Sequence, residues 1–198
     1  MSSLVDMLTG ALGGQLGNVS RQLGTDENTT KSAAEAAIPM ILGALSRNAS
    51  KGDGAASLLN ALSKDHDGSV LDNPSAVLDD PASGAGDGIL RHVLGSRRPA
   101  VEAGISQSSG LDTGSAGQLL TMLAPMVMGA LGKAQRQGNL DSNGLSQMLG
   151  SEARQLNSAQ PQAMGLLNVI LDADGDGDVD LGDIAKKGMG MLGKFLKK

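Results

Sequence analysis

Apolar residues along this chain gather into helix-length clusters, and no stretch shows the strict apolar/polar alternation of a half-buried strand. The two most apolar runs are AAIPMILGAL at 36–45 and LLTMLAPMVMGAL at 119–131. Both fall short of the ~20 residues that a membrane span requires, and each contains a proline, so both read as buried helices. A polar start precedes each run, Asp26 to Thr30 and Asp112 to Ser115, and supplies oxygens for an N-cap. Pro39 and Pro125 each remove one backbone donor and are expected to kink their helices or divide them in two.

The two segments also align with each other. At one fixed offset Gly24 falls on Gly110, Asp26 on Asp112, Pro39 on Pro125, Met40 on Met126, and Gly43-Ala44-Leu45 on Gly129-Ala130-Leu131. One gap later, Leu58 and Leu62 fall opposite Leu145 and Leu149. This predicts an internal duplication: a helical domain over 1–160 with halves of about 1–87 and 88–160, followed by a helix-loop-helix unit over 161–198. Gly43 and Gly129 each cost about 1 kcal/mol in a helix interior relative to Ala, so close approach of a second helix is expected there. The pairs Gly10/Gly14 and Gly13/Gly17 suggest the same for the first helix. Between the halves, residues 63–90 concentrate Gly, Pro, Asp and Ser. They read as a loop-rich connection with a short helix around 75–79, then a helix over about 88–94 capped by Gly95, with another turn of structure beginning over 97–106.

Composition supports an all-α fold, two related helical halves packed as a bundle. Apolar residues make up 40% of the chain, almost all aliphatic, with one Phe and no Trp or Tyr. The absence of Cys excludes disulfides, zinc-thiolate sites and thiol catalysis. A net charge of −5 with so few aromatic rings argues against a nucleic-acid partner. The N-terminal MSSLVDMLTGALGGQLG has no basic leader and carries Asp6 inside its hydrophobic stretch, so a cytoplasmic location is the expectation.

The most specific chemical signal is LDADGDGDVDLGD at 171–183, with six aspartates and three glycines. Numbered from Asp172, carboxylates fall at loop positions 1, 3, 5, 9 and 12, namely Asp172, Asp174, Asp176, Asp180 and Asp183. Gly177 stands at 6, Val179 at 8, and Asp178 offers its carbonyl at 7. A hard divalent cation needs six to eight oxygens, and alternate side chains of such a loop converge on it while the glycine permits the sharp turn. A solvated acidic loop needs neither that glycine nor that register. Calcium is the expected cation, with Mg²⁺ the alternative because Asp183 is one methylene shorter than the usual bidentate Glu. In that respect the loop resembles the calcium loops of dockerin modules, over about twelve residues and without their second loop. A lone loop of this kind binds with Kd around 10⁻⁴ to 10⁻³ M, so packing against the helical body, a calcium-rich setting or Mg²⁺ is needed to fill it. The expected role is structural, relieving repulsion among clustered carboxylates.

Other candidates are weaker. GMGMLGK at 188–194 fits two phosphate-loop patterns but has no preceding strand and no Ser or Thr after Lys194. Ile184, Met191, Leu192, Phe195 and Leu196 fall on one side of a helix among five lysines, which reads as a terminal helix docked on the core, with a membrane-surface helix as the alternative. KDHDGSVLD at 64–72 resembles a half-loop that cannot close around a cation. His66 and His92, on separate segments without ligand spacing, read as surface or capping residues. No triad or cofactor fingerprint is present, so no enzyme is expected.

IPMILGAL (38–45), LSKDHDGSVLDN (62–73), GDGILRHVLGSRRPAVEAGISQSSGLD (86–112) and LAPMVMGAL (123–131) resemble the bacterial YidB-like family, domain-of-unknown-function family 937. The resemblance implies a small helical bacterial protein and carries over no catalytic residues. The functional expectation is therefore a non-enzymatic protein that binds one divalent cation and works as a homo-oligomer or through a protein partner. The alternative is a peripheral membrane-surface protein using its basic amphipathic C-terminal helix.

Overall fold

The structure is a computed structural model that describes residues 4–78, 85–161, 163–165 and 170. Its helices are α1 (Leu4–Gly13), α2 (Leu16–Leu23), α3 (Glu27–Ala49), α4 (Gly54–Asp65), α5 (Ser75–Leu78), α6 (Ala85–Val93), α7 (Arg98–Ser109), α8 (Thr113–Gly138) and α9 (Ser142–Ala159). Short 3-10 turns occupy Ser69–Leu71 and Gly95–Arg97. No strand occurs among the described residues, and the fold is all-α as expected.

The polar starts act as caps. The Asp26 carboxylate accepts from the N–H groups of Asn28 (2.9 Å) and Thr29 (3.0 Å), Asp112 accepts from Ser115 (3.0 Å), and Asp141 accepts from Gly144 (2.8 Å). The last residue before the Leu111–Asp112 entry to α8 is Gly110, whose φ of +78° ends α7 in the left-handed conformation that a side chain would strain.

α3 and α8 form the centre. They pack on each other, α7 packs on both, α9 covers α3 and α6 covers α8. Every residue from Ala36 through Leu45 in α3, and from Leu119 through Gly132 in α8, is buried. Helices that are apolar all round belong inside a bundle. By length and composition α8 could cross a membrane, but 83% of its most apolar window is buried among the other helices, where it serves as a core helix.

Neither proline divides its helix. α3 runs unbroken through Pro39 and α8 through Pro125, because neighbours enclose both segments and their packing outweighs one lost backbone hydrogen bond each. The glycine expectation is corrected in two places. A Cβ at Gly129 would overlap Val70 Cγ1, so the close approach is real but comes from a 3-10 turn and not from a helix. At Gly10, Gly13 and Gly14 a Cβ would meet nothing within 4 Å, and α1 simply ends at Gly13. The boundary between halves drawn at 87 falls inside α6, and helices from both sides of it contribute to one hydrophobic core.

Candidate functional site

The acidic loop residues Asp172, Asp174, Asp176, Asp178, Asp180 and Asp183 all lie outside the described residues. The nearest described position is Ile170, partly buried and packed against the core. Among the described residues no group of three or more His, Asp or Glu is arranged to hold a metal.

The described chain does bring chemistry together in a cleft of about 640 Å³ bounded by the end of α3, by α4 and by α6, with Met128 contributed by α8. Its apolar wall includes Leu45, Leu58, Ile89 and Val93. Its polar lining includes Asn48, Lys51, His66 and His92. Local contacts fix this shape. Asn48 Nδ2 donates to the Val93 carbonyl at 2.9 Å and ties the end of α3 to the end of α6. A Cβ on Gly54 would overlap the Asn48 carbonyl oxygen, so only glycine lets α4 start there.

His66 closes α4, and its carbonyl sits so near α8 that a Cβ on Gly132 would overlap it. The next residue is held as well: Arg136 Nη1 donates to the Asp67 carbonyl at 2.6 Å, and the Asp67 carboxylate accepts from the Ser69 N–H at 3.0 Å. Burial pushes the His66 imidazole pKa below its ordinary value, with Asp65 pulling the other way. His92 is exposed, and its Nδ1 lies 3.0 Å from the Gly88 carbonyl one turn back. A carbonyl can only accept, so Nδ1 carries the proton and Nε2 is left to other partners.

The reading of the histidines as surface or capping residues agrees with these positions, since His66 is the C-cap residue of α4 and His92 is exposed. The shared cleft was not visible in the sequence. Nothing in the spacing of the two residues points to it, because they converge only through the packing of α4 and α6 around the end of α3.

A second polar cluster joins α6, α7 and α8. Arg98 donates from Nη1 to Asp87 and from Nε to Glu102, each at 2.7 Å, while the Thr121 hydroxyl lies 3.3 Å from both Arg98 Nη2 and Asp87 Oδ1. The hydrogen bond from Arg98 holds the Asp87 carboxyl below the usual range. Two carboxylates share one guanidinium, the Asp87 pair latches α6 to α7, and the Asp87 carboxyl is not poised as a proton donor at neutral pH.

Residues 6–134 match the family model described as a bacterial protein of unknown function, DUF937. The chain belongs to the DUF937 family. No curated protein and no solved structure matches it. The DUF937 match encloses every described residue of the cleft, from Leu45 to Met128, and the Arg98 cluster as well. The acidic loop at 172–183 lies beyond the matched residues.

Proposed function

We propose that this DUF937 protein is a non-catalytic helical scaffold that binds one divalent cation, Ca²⁺ foremost and Mg²⁺ as the alternative, and acts through self-association or a protein partner. The ligands are the carboxylates of Asp172, Asp174, Asp176, Asp180 and Asp183 and the carbonyl of Asp178. The observation that carries this reading is their register, with Gly177 and Val179 at the positions where such a loop needs a sharp turn and an apolar anchor. Ile170, two residues before Asp172, packs against the core, and a loop tethered to a folded body loses less entropy on closing around an ion. The duplication of the bundle belongs to the same proposal. It is supported by the matched caps Asp26 and Asp112 and by the matched helix-internal prolines Pro39 and Pro125.

Calorimetric titration of the full chain with Ca²⁺ and with Mg²⁺ tests the reading. One saturable site is expected, abolished by Asp172→Ala and by Asp176→Ala. Heat that is indifferent to both substitutions would overturn it. Light scattering with and without calcium addresses self-association, and a strict monomer in both conditions would remove that part. The basic, amphipathic 184–198 segment favours a membrane surface as second reading. Flotation with liposomes that is lost on truncation after Asp183 would select it.

A further inference from the structure

We propose that the cleft between α3, α4 and α6 is a binding site for a free anionic amphiphile, a linear carboxylate of the fatty-acid class. Three features of the cleft carry this. Its volume of about 640 Å³ lies within the ~300–1,000 Å³ typical of small-molecule sites. Its wall is aliphatic, from Leu45, Leu58, Ile89, Val93 and Met128, and offers an alkyl chain dispersion contacts without a ring to stack on.

The third feature is the sign of its charge. Among the described residues that line the cleft the ionisable groups are Lys51, His66 and His92, with no Asp or Glu, although the whole chain carries a net charge of −5. The protein's two histidines both border the same space. An apolar hollow whose described lining carries only basic ionisable groups, in an otherwise acidic protein, selects a ligand with an apolar body and a negative head. His92 keeps Nε2 available beyond its Gly88 bond, and Lys51 brings a fixed positive charge to the lining of the cleft. The amide of Asn48 is already engaged with Val93, so it shapes the wall and does not serve as the head-group donor.

The experiment uses the full chain in calcium-free buffer and dodecanoate below its micellar concentration, followed by calorimetry. Dodecyltrimethylammonium provides the same chain with the opposite charge. One dodecanoate per chain is expected, bound at least about tenfold more tightly than the ammonium compound. Lys51→Glu and His92→Glu should each weaken it by a similar factor. Gly88→Leu gives a variant that does not depend on surface charge: position 88 lines the cleft, a Cβ there meets nothing within 4 Å, and Leu favours the helix. It should fold at least as well as the parent and lose dodecanoate binding. Asp172→Ala should leave binding unchanged, which separates this site from the cation loop. Equal affinity for the ammonium compound, undiminished binding by Gly88→Leu, or association only with phosphatidylglycerol vesicles and not with dodecanoate would each overturn the proposal.

Discussion

Gly86 of α6 lies against the main-chain oxygen of Thr121 in α8, so close that a Cβ at position 86 would overlap it. That oxygen is the one Pro125, four residues on, cannot serve, because proline has no N–H to donate. The place where α8 gives up a backbone hydrogen bond is thus a place where α6 comes into close contact. A glycine-only contact between helix backbones is the physical link between the two features, of the kind that brings Cα–H groups onto carbonyl oxygens at helix interfaces.

Gly86→Ala should therefore lower unfolding stability by about 1–3 kcal/mol, the usual penalty for forcing extra volume into a packed contact. Gly88→Ala, two positions along the same helix and open to space, should raise stability by up to about 1 kcal/mol. Urea unfolding of both variants checks the contrast. Equal effects at 86 and 88 would show that the contact with Thr121 carries no weight.

Asp26 and Asp112 are matched caps with a matched pH signature. Hydrogen bonds from Thr29 hold the Asp26 carboxyl below the usual range, and those from Ser115 do the same for Asp112. A carboxyl whose folded pKa is depressed contributes stability that is full above the unfolded value near 3.8 and is lost as pH falls through the folded value. Asp26→Ala and Asp112→Ala should each lower the melting temperature at pH 7. Asp26→Asn should keep most of it, since Asn caps comparably, while flattening the decline below pH 4. Asp53, which precedes α4 without a capping side-chain bond, is the control, and Asp53→Ala should change little.

The central helices were legible in the sequence because their signals are local. Asp26 and Asp112 sit beside the runs they cap, and the runs themselves are apolar on all sides. Glycine spacing misled where its cause was also local: the cluster at 10–14 resembles a packing stripe, yet it marks the end of α1. The reasons for Gly86 and Gly132 could not be read in advance, since each is a carbonyl belonging to a distant segment. The cleft was hidden for the same cause. His66 and His92 carry no mutual spacing rule, and only the seating of α4 on α8 and of α6 on α3 brings them to one space.

Arg98 of α7 pairs with two carboxylates of unequal exposure, Asp87 of α6 with side-chain accessibility of 52% and Glu102 one turn along α7 with 18%. The more sheltered partner should matter more. Glu102→Gln is expected to cost about 1 kcal/mol and Asp87→Asn less, while Arg98→Met removes the shared partner of both carboxylates and should cost about 1–2 kcal/mol. Raising salt should shrink the Asp87 effect more than the Glu102 effect, because exposed pairs are the more strongly screened. Denaturant unfolding at low and high salt decides it, and identical salt responses would contradict the ranking.

His66 gives the bundle a pH response separate from that of the carboxylates. Burial lowers its pKa from the ordinary 6.5, and Asp65 opposes that shift. Because the folded state favours the neutral imidazole, the unfolded chain takes up a proton first as pH falls. The contribution of this group is full above pH 6.5 and declines as pH drops from there through the folded pKa. His66→Gln should flatten the stability profile as pH falls below 6.5. Asp65→Asn removes the opposing attraction and should move the His66 midpoint still lower, extending the decline. NMR titration of the imidazole Cε1–H signals, assigned with His92→Gln, reads the midpoint directly. A His66 midpoint at or above 6.5, or a profile that His66→Gln leaves unchanged, would mean that the ring is solvated where it borders the cleft.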